Sequence, residues 1–383
     1  MTRVLITGAG AVSGLGAGVE AMWRGLCAAP GDPPRRAADP GARMALPLIH
    51  RAPAEEGPGG RTTRLALMAA REAVADAGLD GAHLARGAVV MGTGGGDADL
   101  WERPLDPDRT EAPAFTVASA VAAALGAGGG ATCVSNACSA GGFGLAMALD
   151  MIRAGEADVV VAGGAEAYSR VALGCFNRMR AVDPYACRPF HRDRAGTVFG
   201  EGAAVLVLES AGHARRRGVR RHYAELAGSG WSCDAHHLTA PDPEGAQIRR
   251  AMTQALADAG VGADAVGCVV PHGTGTRLND VVESEALGAV FGERLGRLPL
   301  YSLKALIGHT AGAAGALGAV AAALVLDRRT VPPNVPLGAD QDPECPVHLP
   351  QGGTVPLTGR HVMVNAFAFG GNNVSLVLEG RTA

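Results

Sequence analysis

The chain has 383 residues, 48% of them hydrophobic and 19% charged, which supplies apolar surface for a large core and excludes the charge excess of a disordered chain. Its 34 Lys and Arg against 37 Asp and Glu leave a formal net charge of −3, so no basic excess exists to grip a phosphate backbone, and nucleic acid is not an expected partner. Eight cysteines, at 27, 133, 138, 175, 187, 233, 268 and 345, form no C-x-x-C pair, which fits a reducing cytosol better than a secreted disulfide framework.

The opening MTRVLITGAGAVSGLG lacks the continuous apolar core of a signal peptide and predicts a first strand entering a Gly turn. Gly8, Gly10 and Gly14 stand there, but Ser13 occupies the place where a dinucleotide fingerprint needs its third Gly. Further on, Ala73–Gly78 reads AVADAG and closes an amphipathic helical pattern with a Gly stop, and GAVVMGTG from Gly87 predicts a strand. The same order returns as ALADAG over Ala255–Gly260 and GCVVPHGTG from Gly267. A third match pairs VFGEGAAVLVLE, ending at Glu209, with AFGGNNVSLVLE, ending at Glu379. Three matches in one order indicate an internal duplication, with halves at 1–212 and 218–383 joined by the charged connector RRRGVRR, Arg215–Arg221.

Strands alternate with helices in each half, which predicts α/β layers with parallel or mixed sheets. Apolar runs such as Val159–Val161 suit strands buried on both faces. The longest apolar stretch, Ala311–Leu326, is short and dominated by Ala and Gly, so it predicts a buried helix and not a membrane span. A soluble cytoplasmic protein is expected.

Several chemistries drop out. The lone lysine of the chain, Lys304, is followed by Ala305 where a phosphate loop needs Ser or Thr. No H-E-x-x-H or G-x-S-x-G occurs, and His236-His237 lack companions at ligand spacing, so no metal is expected. What remains is Cys138, in ATCVSNACSAGGFG, where a strand ends and a helix begins at about Ser139. Unpaired N–H groups at a helix start stabilise a thiolate, which predicts a lowered thiol pKa and suits a covalent acyl carrier. Gly141, Gly142 and Gly144 each weaken that helix by about 1 kcal/mol relative to Ala, so close packing or substrate approach must require them. In the second half, His272 in VVPHGTGTRLND and His309 in YSLKALIGHTAGAAGA are expected at strand ends, the usual ligand location in α/β proteins. A nucleophile, two imidazoles able to donate to a thioester carbonyl and a nearby cation together point to acyl transfer.

At these residues the sequence resembles the β-ketoacyl-acyl carrier protein synthases, the elongating ketosynthases with a Cys-His-His site. The resemblance runs through NACSAGG around Cys138, RPFHRDRAGTVFGEGAAVLVLE from Arg188, DAHHLTAPDPEG from Asp234, HGTGTRLND from His272, SLKALIGHTAGAAG from Ser302 and the terminal AFAFGGNN. It implies an α/β, thiolase-like fold, internally duplicated and five-layered, α-β-α-β-α. It also implies decarboxylative Claisen condensation of an acyl group on Cys138 with malonyl carrier protein, in fatty acid or polyketide elongation. Cys138, His272, His309 and Lys304 would be catalytic, Lys304 pairing with Glu283 and supported by Asp280. The Cys138 and Phe369 amides would form an oxyanion hole, Thr274 and Thr276 would bind the phosphopantetheine arm, and Phe369 would gate the acyl pocket.

Acidic acyl carrier protein is the implied partner and delivers the substrates, so no separate cofactor is expected. Arg61 and Arg64 are the first docking candidates, with Arg178 and Arg180 behind them. A homodimer, or a heterodimer with a related chain-length-factor subunit, is implied, with Phe115–Val121 and the Cys133 strand near the interface. The sequence departs from the family at His191, Ala368 and Asn372, and in shortened stretches between Gly94 and Cys138 and between Val182 and Arg188, which puts chain length and gating in question. Two alternatives accompany this reading: a non-condensing chain-length subunit, which the intact Cys138, His272 and His309 oppose, and a ketosynthase-like acyltransferase forming an ester or amide.

Overall fold

The computed structural model describes residues 2–37, 39, 41–54, 59–102, 115–336 and 341–381. Nine strands form one hydrogen-bonded path: β1 (Val4–Ser13), β2 (Ala88–Gly92), β3 (Ala131–Val134), β4 (Val159–Glu166), β5 (Gly202–Ser210), β6 (Ala224–Cys233), β7 (Val266–Val270), β8 (His361–Phe367) and β9 (Asn372–Gly380). Their order is β7-β8-β9-β6-β1-β5-β4-β2-β3. Only two residue pairs, Leu5 with Glu225 and Ile6 with Ala224, join β1 to β6, so the path is two sheets meeting at a narrow seam.

The two sheets repeat one pattern. In the first, β1–β5 and β5–β4 are antiparallel while β4–β2 and β2–β3 are parallel. In the second, β6–β9 and β9–β8 are antiparallel, β8–β7 is parallel, and a parallel bridge from Val269 to Leu300 stands where β3 stands in the first. Even the bulges recur: the β1–β5 register slips between Ile6 and Gly8, and the β6–β9 register between Leu226 and Gly228.

Six helices cover the sheets: α1 (Arg61–Ala77), α2 (Val117–Leu125), α3 (Ala140–Arg153), α4 (Ala246–Asp258), α5 (Arg277–Phe291) and α6 (Ala314–Arg328). α1 and α2 pack on the outer face of the first sheet, α4 and α5 on that of the second, and α3 with α6 lie between the sheets. Three apolar clusters follow these seams: Leu65, Val121 and Val161 under α1 and α2; Leu145, Val320 and Val364 around the central helices; Met252, Leu287 and Met363 under α4 and α5. This is the expected α-β-α-β-α layering. The apolar stretch Ala311–Arg328, long enough to cross a membrane, is the middle layer and is 78% buried.

The three helical glycines after Cys138 are explained by the close approach of α3 to the start of the other central helix and to strands of both sheets. A Cβ on Gly141 would lie 2.8 Å from the Gly312 carbonyl oxygen, one on Gly142 would lie 2.6 Å from Val374 Cγ1, and Gly144 backs onto Gly163. Side chains there would wedge the middle layer apart.

Candidate active site

Cys138 sits on a single 3-10 turn, Ala137–Ser139, between the end of β3 and the first residue of α3. Ala137 takes a left-handed φ of 54°, a conformation unfavourable for a residue with a Cβ, at the bend between β3 and the turn that carries Cys138. Cys138 is buried, 7% exposed as a residue. Burial pushes its pKa up to about 11, opposed by the Lys304 charge and by the Phe369 and Cys138 amides, and assisted by the Glu166 charge. The expectation of a depressed thiol pKa is therefore overturned, because loss of water outweighs the N–H donors at the helix start.

His309 Nε2 lies 3.0 Å from Cys138 Sγ, and the His272 ring stands edge-on to the His309 ring at a centroid distance of 5.5 Å. His272 follows the end of β7, as expected. His309 does not sit at a strand end: it follows the short helical turn Lys304–Ile307, and its backbone pairs with Val198 and Gly200. Burial and the Lys304 charge hold both imidazoles well below their ordinary pKa, so both are neutral. Their Nδ1 atoms are buried without partners. A neutral ring carries one proton, and with it on Nε2 each ring can act as a donor.

Lys304 donates from Nζ to the His272 carbonyl. Glu283 accepts from the His272 and Gly273 amides, each at 2.7 Å, so lysine and glutamate attract each other across the same stretch of backbone and not through the expected direct bond. Burial pushes Glu283 up to about 7 and lowers Lys304. Asp280 accepts from the Phe190 and Thr274 amides, and its own pKa is raised by burial.

Cys138, His272 and His309 open onto one cavity of about 640 Å³, which Thr274, Thr276, Phe367 and Phe369 also line. The Thr274 and Thr276 hydroxyls are 2.8 Å apart and share one wall. Phe369 stacks on Phe176, with centroids 5.0 Å apart and planes 11° from parallel. Among the described residues no group of three or more His, Cys, Asp or Glu side chains is arranged to hold a metal ion. The arrangement can accept an acyl group on sulfur and direct two neutral donors at an adjacent carbonyl.

Comparison with known proteins matches this chain to two family models, "Beta-ketoacyl synthase, N-terminal domain" over residues 49–214 and "Beta-ketoacyl synthase, C-terminal domain" over residues 223–338. The chain belongs to the β-ketoacyl synthase family. It is 36% identical over 406 aligned residues to Nodulation protein E of Rhizobium meliloti, covering 98% of this chain and 99% of that protein. It is 35% identical to 3-oxoacyl-[acyl-carrier-protein] synthase 2 of Staphylococcus aureus (strain COL), covering 83% and 81%. Among solved structures, the ishigamide ketosynthase/chain length factor is 36% identical, covers all of both chains and superposes with a TM-score of 0.90.

Within this β-ketoacyl synthase the arginines divide differently from the sequence expectation. Arg61 donates from Nε and Nη2 to both carboxylate oxygens of Glu201 at 2.8 Å, and from Nη2 to the Ala52 carbonyl, so its guanidinium serves the fold. Arg64 donates to the Gly59 carbonyl, and neither residue lines the cavity. Arg180 does line it and is exposed, beside exposed Arg178. Of the four arginines, only Arg180 lines the cavity.

Two residues at the site escaped the sequence reading. Arg277, exposed at the first position of α5, borders the cavity mouth. Glu166, at the end of β4, is 7% exposed and accepts amides from both halves. An acidic residue ending the apolar run ADVVVAGGAE was the available signal, since strand ends in α/β proteins present functional side chains.

Proposed function

We propose that this chain is a β-ketoacyl-acyl carrier protein synthase in which Cys138 carries the acyl group and His272 and His309 serve the decarboxylating partner. The carrying observation is the meeting of Cys138 with two neutral histidines, both with Nδ1 unpartnered, on one cavity. In loading, the Cys138 sulfur attacks the carrier thioester, the carrier thiol leaves, and the cysteine proton goes to it. Malonyl carrier protein then loses its carboxylate as carbon dioxide. The electron pair becomes an enolate whose oxygen accepts from His272 and His309 Nε2–H, and its carbon attacks the acyl carbonyl. That carbonyl oxygen accepts from the amides of Cys138 and Phe369, Cys138 sulfur leaves as the thiolate, and a proton from solvent restores the thiol.

Thr274 and Thr276 hold the phosphopantetheine arm, Phe369 gates the pocket, and Lys304, Glu283 and Asp280 fix the His272 segment. The reaction balances with substrates carried on acyl carrier protein and needs no separate cofactor. The named neighbour, a ketosynthase with a chain length factor, supports a dimer, either of identical chains or with a related subunit. The edge we assign to that contact is β3, the last strand of the path, whose residues Ala131 and Thr132 are exposed, as is Phe115. Halves at 1–212 and 218–383 and a cytoplasmic setting complete the reading.

Peptide mass spectrometry after incubation with acyl carrier substrates should find the acyl group on Cys138 and none in Cys138→Ala. His272→Ala and His309→Ala should retain some acylation while malonyl decarboxylation falls about 100- to 1000-fold, the usual effect of removing one oxyanion donor. Acylation persisting in Cys138→Ala, or near-normal carbon dioxide release in both histidine variants, overturns the reading.

A further inference from the structure

The turn that presents Cys138 occurs twice. Ala137, with φ 54°, opens a 3-10 turn over Ala137–Ser139 that runs into α3; Ala311, with φ 40°, opens a 3-10 turn over Ala311–Ala313 that runs into α6. Aligned on these two alanines, Gly312 stands where Cys138 stands. The Gly312 amide is therefore the counterpart of the Cys138 amide, which faces the thiol in the first turn.

The second turn is occupied from within the chain. Glu166 Oε2 accepts from the Gly312 amide at 3.0 Å and the Gly94 amide at 2.6 Å, while Oε1 accepts from the Gly95 amide at 3.1 Å and the Thr93 hydroxyl at 3.5 Å. None of these donors is a cation. A carboxylate held away from water by neutral donors is expensive to bury, and here burial pushes its pKa up to about 7. The surrounding backbone is packed tightly around the carboxylate: a Cβ on Gly312 would lie 2.4 Å from the Gly94 nitrogen, and one on Gly94 would lie 2.8 Å from Glu166 Oε2. Gly312 is three residues past His309, and its carbonyl oxygen would lie 2.8 Å from a Cβ on Gly141, three residues past Cys138.

We propose that Glu166 is the built-in anion of the duplicated turn: a positioning residue that fills the second anion hole and thereby fixes the His309 loop against the Cys138 turn. This rests on Cys138 and His309 being the reacting pair. The second turn keeps the anion-binding geometry of the first but is supplied with its anion by β4, which binds the two halves together at the point where the reaction occurs.

Removing the side chain in Glu166→Ala opens a hole lined by amide donors, sized for a small carboxylate. Condensation should fall about 100-fold, as expected when reacting groups shift by about 1 Å. Added formate should restore part of the rate, and formamide, similar in shape but neutral, should not. Glu166→Gln keeps the volume and removes the charge that raises the Cys138 thiol pKa, so iodoacetamide should alkylate Cys138 faster at pH 7 while condensation slows. A protein that had merely lost structure would not separate these two rates in opposite directions. Absence of formate rescue in a folded Glu166→Ala protein overturns the proposal, as does wild-type condensation in Glu166→Gln. If Glu166→Ala fails to fold, the two rates in Glu166→Gln decide. Failure of the wild-type chain to acylate Cys138 would instead overturn the reaction assigned above, leaving formate-dependent alkylation of Cys138 in Glu166→Ala to judge Glu166.

Discussion

At the scale of single residues, the site works with groups held in their neutral forms. The Cys138 thiol, raised to about 11, carries its proton at neutral pH, and the two imidazoles, lowered by burial, carry one proton each. Since the thiolate is the reactive species, alkylation of the resting enzyme by iodoacetamide should climb about tenfold per pH unit from 7 to 10 with no plateau, because the whole range lies below the thiol pKa. Lys304 opposes this rise in pKa, so Lys304→Met should slow alkylation at every pH in that range. Stopped alkylation followed by intact mass measures both, and a plateau below pH 9 in the wild-type chain would contradict the burial argument. Lys304→Arg should also lose condensation, since a planar fork does not fit the compact contact Nζ makes with the His272 carbonyl. That requirement gives a physical reason for one lysine among so many arginines.

At the scale of elements, the repeat was legible where sequence carries side chains and hidden where geometry does the matching. AVADAG and ALADAG mark the ends of α1 and α4, where Gly78 and Gly260 take φ of 64° and 68°, and the strands that follow are β2 and β7. The strand glycines beneath those helices are silent in the sequence, Gly10 fitting only an incomplete dinucleotide fingerprint and Gly230 no motif. Their purpose is contact: a Cβ on Gly10 would lie 2.0 Å from the Ala69 carbonyl oxygen of α1, and one on Gly230 would lie 2.2 Å from the Ala251 carbonyl oxygen of α4. The Cys138 and Gly312 turns match in the φ of their first residue and in letters at Ala137 with Ala311, Ala140 with Ala314, Gly141 with Gly315 and Gly144 with Gly318, but Gly312 stands in place of the cysteine, so the second turn shows no reactive side chain to single it out. Because both helices cross their strands in the same way, Gly10→Ala and Gly230→Ala should destabilise the chain by similar amounts, about 1–3 kcal/mol each. Thermal unfolding checks this; a shift in only one of the two would show that the crossings are not equivalent.

At the scale of the whole molecule, the cavity mouth brings together charge and apolar surface that sequence distance separates. Met179 and Leu278 line it and are 41% and 61% exposed, Arg180 and Arg277 stand immediately next to them in sequence, and Leu238 is 82% exposed beside the lining residue Thr239. The two arginines come from opposite halves, so only the folded chain makes one basic rim around an apolar lip. That combination fits an acidic carrier, and it is independent of Arg61, which is paired with Glu201. Rim charges act mainly on encounter, so Arg180→Glu and Arg277→Glu should raise KM for carrier-bound substrates, and the difference from wild type should shrink as salt is added. Small thioester substrates, which need only the cavity, should keep their wild-type kinetics in both variants. Arg61→Glu should instead lower the melting temperature, because reversing it sets two carboxylates against each other at a buried position. Parallel loss of small-thioester activity in Arg180→Glu would place that residue in the cavity's chemistry and not on its docking rim.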